Sequence, residues 1–209
     1  MSEQAVVVDK EIARELRNEL KLKGAYFCTP AESDRLAKVI FLGKQRMNPD
    51  RVGQSPEVLA GLAQFSIPPK TRILISEEAE IGWHRPLSAE KLNPVLAFYV
   101  ANDENHALEL ANNIAKFEGW GHSSVVHSDD PKIVAKFASI PTGRVLVNTP
   151  AILGGMGYST DLEPSFMLGT GTWSGSITSD NVTALHLINI KRVAYESRPW
   201  RDIYEEYGE

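Results

Sequence analysis

A single cysteine, Cys28, stands among 209 residues, so no intrachain disulfide can form. That excludes a disulfide-stapled secreted fold and fits a reducing compartment, the cytoplasm. No apolar run approaches the roughly 20 residues that span a bilayer, and the opening MSEQAVVVDKE lacks the basic-then-apolar order of a secretory signal. Positive charge is not in excess: 22 Lys and Arg against 27 Asp and Glu leave a formal charge of −5. Neither nucleic acid nor an anionic membrane is therefore expected as a partner. Metal-ligand spacing is also missing from the histidines at 84, 106, 122, 127 and 186. His122 and His127 flank a predicted strand and point to opposite faces, so no metal is expected. Neither glycine loop, 154–157 or 169–175, forms a strand–GxGxxG–helix fingerprint or a Walker sequence.

What is present is an ordinary globular composition, 43% apolar and 23% charged, in a chain long enough to bury a core. Residues 5–8 (AVVV) read as a strand, and Asp9 as the cap of a helix reaching Gly24 with Ile12, Leu16 and Leu20 on one face. A short strand at 25–28 precedes a helix that starts at Thr29-Pro30 and runs through Leu36, Val39 and Ile40 to Gly43. A polar loop, a small helix at 57–64, a strand at 71–75 and a long connection over 77–92 follow. Residues 94–100 (PVLAFYV) form the next strand, and Asp103 caps a helix with Ala107, Leu110, Ala111, Ile114 and Ala115 at helical spacing. Gly119 ends that helix; a strand at 123–127, a helix at 131–139 and a strand at 144–148 complete the alternation. This pattern predicts an α/β fold with a mainly parallel, helix-covered sheet. Beyond 149 the chain turns to shaped glycine loops, then to a strand at 184–196 with apolar residues on both faces. An unpaired edge of that kind demands a partner, so it is read as an oligomerisation arm. The expected organisation is 1–183 as one domain, 184–196 as the arm and 197–209 as a charged, aromatic tail.

Few residues offer chemistry. Cys28 follows Tyr26-Phe27 with no basic neighbour to lower its pKa, and reads as a core hydrophobe rather than a nucleophile. The glycine loops divide evenly between tight turns and pocket walls. Glu90 precedes one strand of a crossover unit and His122 the other; parallel strands start at one edge of their sheet, so the two are expected near each other. Ligands of open α/β sheets favour the opposite, carboxyl edge, which makes this pair reasonable only if a second domain packs there.

At these residues the chain resembles the CoA-acylating aldehyde dehydrogenases. The likeness rests on RVGQSPEVLAGLA (51–63), EKLNPVLAFY (90–99), GWGHSSVVHS (119–128), RVLVNTP (144–150) and LGTGTWSGSITSDNVTALHLINIKRVA (168–194), in the family's order. The resemblance implies a catalytic domain of the aldehyde dehydrogenase type with a C-terminal β-arm strand used for homo-oligomerisation. It implies a small aldehyde and CoA as substrates, NAD or NADP as cofactor, and a cysteine thioester as intermediate. Glu90 matches the family residue at the nicotinamide ribose and Leu92 an apolar neighbour of the nicotinamide ring. His122 matches the histidine that orients or deprotonates the incoming thiol. Asn148, Thr149, Pro150, Thr170, Thr172 and Trp173 look like walls of the aldehyde pocket. The family nucleophile lies in a Cys-Ala-Ser-Glu-Gln segment; here Met1 stands at the alanine, so the nucleophile is expected before residue 1 and the chain alone is expected to be inactive. The alternative expectation is a non-catalytic module kept for assembly or ligand binding. A hydrolytic aldehyde dehydrogenase fits less well, since GWGH and HLINIKR resemble the acylating branch.

Overall fold

The computed structural model describes residues 3–43 and 45–208. The AVVV run forms strand β1 (Ala5–Asp9), and the chain returns through helix α1 (Ala13–Leu22) to β2 (Ala25–Phe27). Asp9 does not cap α1 directly: its carboxylate accepts from the Glu11 amide, and a turn intervenes before the helix begins. Helix α2 (Pro30–Ile40) opens as expected from Thr29-Pro30. Thr29 Oγ1 accepts from the Glu32 amide while the Glu32 carboxylate accepts from the Thr29 amide, a reciprocal cap that satisfies two otherwise orphaned donors. A small hairpin of β3 (Phe41–Leu42) and β4 (Arg46–Met47) leads to α3 (Pro56–Leu62) and to β5 (Ile73–Glu77).

Strand β6 (Val95–Ala101) is the centre of the main sheet, whose order is β1-β6-β5-β2, all parallel. Its sequence explains the position. VLAFYVA is apolar almost throughout, as a strand covered on both faces must be. On one side Leu36, Ile40, Leu59 and Leu74 pack with no exposed surface; on the other Val8, Ile75, Leu96 and Phe98 receive Leu16 and Leu20 of α1. Each fully buried Leu or Ile contributes on the order of 1.5–3 kcal/mol.

Helix α4 (Glu104–Glu118) is capped by Asp103, whose carboxylate accepts from the His106 amide, and ends at Gly119. It lays Leu110, Ala107 and Ile114 against Ala97, Tyr99 and Ala101. Then follow β7 (Ser123–Val126), α5 (Pro131–Phe137), β8 (Arg144–Val147) and α6 (Ala151–Gly155). Here the crossover expectation fails. Strands β7 and β8 pair in parallel with each other as a separate two-stranded sheet, not with β6. Both edges of β6 are already taken, by β1 and β5, so a shared starting edge cannot be inferred for Glu90 and His122.

The expected strand at 184–196 is also corrected. Residues Ala184–Leu187 form a short 3-10 helix and 188–197 adopt no regular element. A strand exists only when its backbone groups find a ladder partner, and among the described residues none pairs with this segment. Its apolar side chains, Leu187 and Tyr195 among them, are exposed. The tail contains helix α7 (Trp200–Tyr207). No helix among the described residues is long and apolar enough to cross a membrane.

Candidate active site

The long connection between β5 and β6 has only one 3-10 turn, Pro86–Ser88, among its described residues, and buried polar groups brace the rest. Glu78 is buried; its carboxylate accepts from Ser76 Oγ at 2.6 Å and from Arg85 Nε at 2.7 Å. That ion pair raises the Arg85 pKa further, chiefly through the hydrogen bond to Glu78. Ser88 Oγ accepts from the Gly82 amide at 3.0 Å, folding the connection back on itself. The chain then reaches Glu90, half-buried, at the turn that opens β6.

Lys91 holds this turn. Its side chain is fully buried, and Nζ donates to the carbonyls of Leu87 and Ala89 at 2.9 and 2.8 Å. The Lys91 amide donates to Gln4 Oε1 at 2.9 Å, and its carbonyl accepts from Asn93 Nδ2 at 2.8 Å. Leu92 adopts φ +47°, an uncommon conformation for a residue with a Cβ, and exposes 43% of its surface. Glu90 therefore stands beside an apolar side chain turned outward on a braced backbone. Burial, then the negative charge of Glu90, push the Glu118 carboxyl above its usual range, which puts the C-terminal end of α4 near Glu90.

His122 follows that end. Its amide donates to the Gly119 carbonyl at 2.9 Å, and its own carbonyl accepts from the Gly143 amide at 2.8 Å. Gly121 makes the turn possible: φ is +72°, and a Cβ there would lie 2.1 Å from the Thr170 carbonyl oxygen. The His122 ring is exposed, with Nδ1 accepting from the Ser123 amide at 2.9 Å. The neutral ring thus carries its proton on Nε2, which is left as a donor. Among the described residues no hydrogen bond or ion pair joins Glu90 to His122; Glu118, at the end of the helix that leads to the His122 turn, is the group that feels the Glu90 charge.

The expected pocket walls divide into two groups. Thr170, Thr172 and Trp173 lie with the His122 turn, at the amino ends of β7 and β8. Trp173 meets Trp120 edge to face at 5.5 Å, and Ser174 Oγ donates to Thr170 Oγ1. Asn148, Thr149 and Pro150 follow the carboxyl end of β8, roughly 10 Å away along a strand of that length. The Asn148 amide is already occupied: Oδ1 accepts from the Ser128 amide at 3.0 Å, and Nδ2 donates to the Ser128 carbonyl and Asp129. Thr149 is buried and shares a hydrogen bond with Ser159. Pro150 leads into α6, whose Ala151 amide donates to Glu3 Oε1 at 2.8 Å. Glu3 and Gln4 therefore bind both the 148–150 wall and the Glu90 turn to the start of the chain. Sequence reasoning missed both, and also Lys91; the one visible signal was polar residues directly before an apolar strand.

Cys28 sits in the core, 6% exposed, and burial followed by the nearby Glu32 charge pushes its thiol up to about 12. It is a protonated, packed side chain, not a nucleophile. Among the described residues no cluster of His, Cys, Asp and Glu could hold a metal ion.

No family model matches the chain. It is 40% identical over 199 residues to the aldehyde-alcohol dehydrogenase of Clostridium acetobutylicum, covering 92% of this chain and 23% of that protein. The crystal structure of an acetylating aldehyde dehydrogenase from Geobacillus thermoglucosidasius superposes with a TM-score of 0.89 at 40% identity, covering 94% of this chain and 44% of the other. A probable aldehyde dehydrogenase from Listeria monocytogenes EGD-e gives 0.91 at 42% identity, covering 97% and 45%. The chain thus spans about a quarter of the aldehyde-alcohol dehydrogenases it matches and under half of these two solved chains.

Proposed function

Because the chain is homologous, over nearly its whole length, to one segment of the aldehyde-alcohol and acetylating aldehyde dehydrogenases, we propose that it supplies the catalytic-domain portion of a CoA-acylating oxidoreductase. The reaction converts a short aldehyde, CoA and NAD or NADP into acyl-CoA and reduced cofactor, in the cytoplasm. The reading is carried by the 92% of the chain that aligns with such a relative, and is supported by an exposed His122 on a turn that requires glycine.

In this scheme a cysteine thiolate adds to the aldehyde carbonyl, a hydride leaves the resulting thiohemiacetal, and the thioester so formed passes its acyl group to the CoA thiol, freeing the cysteine. The nicotinamide supplies the hydride acceptor. The residues present suit it: a half-buried carboxylate, Glu90, for sugar hydroxyls, beside an outward-facing Leu92 for an apolar ring face. His122 is best placed to orient rather than deprotonate the incoming thiol, since Nδ1 is engaged by the Ser123 amide and Nε2 is left to donate. Thr170, Thr172 and Trp173 wall the His122 side, and Asn148, Thr149 and Pro150 the side tied to Glu3. With Cys28 locked in the core, the attacking thiol and the nucleotide-binding unit come from outside these 209 residues. Residues 1–183 form the catalytic part, and the exposed apolar segment 184–196 acts as an arm that gains its ladder only in a homo-oligomer.

The test compares two proteins. Given acetaldehyde, CoA and NAD, the purified chain should form no NADH. The same chain joined behind the N-terminal part of the Clostridium acetobutylicum relative, up to the matched stretch, should form NADH and acyl-CoA together. Enzyme-like turnover by the chain alone would overturn the external-thiol account. A joined protein that folds and binds NAD but makes no acyl-CoA would favour the second reading, a non-catalytic assembly or ligand-binding module, for which the exposed apolar run over 185–195 speaks.

A further inference from the structure

Three locally unfavourable features crowd into three consecutive residues beside Glu90. Lys91 is a fully buried amine that makes no ion pair with a carboxylate among the described residues. Leu92 holds a left-handed backbone. Asn93 is buried, and its Oδ1 has no hydrogen-bond partner among the described residues. Any of these would be removed cheaply by substitution if the turn were only a connector. Such features persist where the surroundings over-determine them, and they gather at ligand clamps and switch regions.

The bonding shows what is being held. Lys91 gathers the carbonyls of Leu87 and Ala89 onto one ammonium, so the chain before Glu90 is bent around it. The residue's own amide and carbonyl are anchored to Gln4 and Asn93. The Leu92 carbonyl accepts from the Gly53 amide at 2.9 Å, which fixes the far side of the turn. Glu90 and Leu92 are therefore the two members of the turn left to face outward, with Lys91 between them pointing in.

We propose that Lys91 is a positioning residue: its buried amine, clamped on the Leu87 and Ala89 carbonyls, sets the turn that offers Glu90 and Leu92 to the nicotinamide cofactor, and the turn opens to water more readily when that amine takes up a proton. The cofactor half of this statement rests on the function proposed above. The clamp itself does not.

Charge explains why the proton matters. An ammonium loses more hydration than a neutral amine when buried, and a neutral amine still has two N–H donors for the two carbonyls, so protonation favours openings that return Lys91 to water. The charged groups facing Lys91 are Glu78, from the connection after β5, and Glu90, on its own turn; both favour the ammonium. Arg85 and Tyr99 face Glu78 in turn, and Glu118 of α4 faces Glu90. Against them stands burial, the largest influence, which brings the amine down to about 7. Protonation on the acid side of neutral pH thus favours opening of the turn.

The experiment is a pH titration of the full chain by NMR, without cofactor, following Lys91 Cε and the amides of Glu90, Lys91, Leu92 and Gly53. The expected result is one shared midpoint near 7, with solvent exchange of the Lys91 and Gly53 amides rising less with pH than that at Val95. A Lys91 Cε that keeps its ammonium shift up to pH 9, or a Lys91 that titrates while the turn amides stay still, would overturn the proposal. Lys91→Met should abolish the shared transition and Lys91→Arg should hold the turn in its low-pH state; the wild-type titration decides alone if either variant fails to fold. Since no cofactor is present, failure of the clamp is distinct from failure of the dehydrogenase reading, which the acyl-CoA assay addresses.

Discussion

Lys91 also makes a thermodynamic prediction whose sign can be worked out. In the unfolded chain its amine titrates near 10.5, and in the fold burial lowers it to about 7. Between those values the unfolded chain binds more protons than the folded one, so stability rises with pH. Integrated from about pH 7 to about pH 8.5, one such amine adds on the order of 1–2 kcal/mol. Cys28 works in the opposite direction, because its thiol is raised from 9.0 to about 12 in the fold. The unfolded thiol begins to lose its proton first, but the window lies below its ordinary pKa of 9.0, so the cost is a small fraction of the Lys91 gain. Lys91 wins, leaving a net gain on the order of 1 kcal/mol. With a urea dependence of about 2 kcal/mol per molar, the unfolding midpoint should rise by roughly half a molar between the two pH values. Tryptophan fluorescence and far-UV circular dichroism would both report it. Lys91→Met should lose the rise and retain only the small fall from Cys28. A wild-type midpoint that is flat or falls from pH 7 to 8.5 would refute the reasoning.

Other perturbations have expected sizes. Thr29→Ala removes the reciprocal cap on α2 and should cost about 1–2 kcal/mol in urea unfolding. Leu59→Ala empties a fully buried site and should cost about 2–5 kcal/mol by the same measurement. Arg85→Met leaves the buried Glu78 carboxylate without its cation and should destabilise by up to about 3 kcal/mol at neutral pH, with partial recovery when Glu78→Gln is added. Gly121→Ala would place a Cβ against the Thr170 carbonyl; exchange protection should fall around His122 and Trp173 while β5 and β6 keep theirs.

Much of this fold was legible because its strongest elements carry local signals. The apolar run at 94–100, the Asp103 cap, the Gly119 stop and the Thr29-Pro30 helix start all appear within two residues of their expected places. The errors arose where partners decide. Residues 184–196 have strand composition but no ladder partner among the described residues, and lie exposed instead. The crossover at α4 was visible, yet sheet membership was not, because β7 chose β8 over the already filled edges of β6. The candidate site was half legible. Glu90, Leu92 and His122 could be singled out, and the structure exposes Leu92 and His122. The residues that brace them, Gln4, Glu78 and above all Lys91, gave no pattern. A lysine in a turn is ordinarily solvated, and only the folded carbonyls of Leu87 and Ala89 show that this one is not.

The central claim is that the His122 edge completes a thioester site whose thiol lies outside this chain. Its most direct test is acyl-CoA formation by the joined protein with and without His122. The account predicts that wild-type joined protein makes NADH and acyl-CoA in equal amounts. It predicts that His122→Ala still gives a first turnover of NADH from aldehyde but passes the acyl group to CoA at least about 100-fold more slowly. Equal rates of CoA acylation in the two proteins would contradict it.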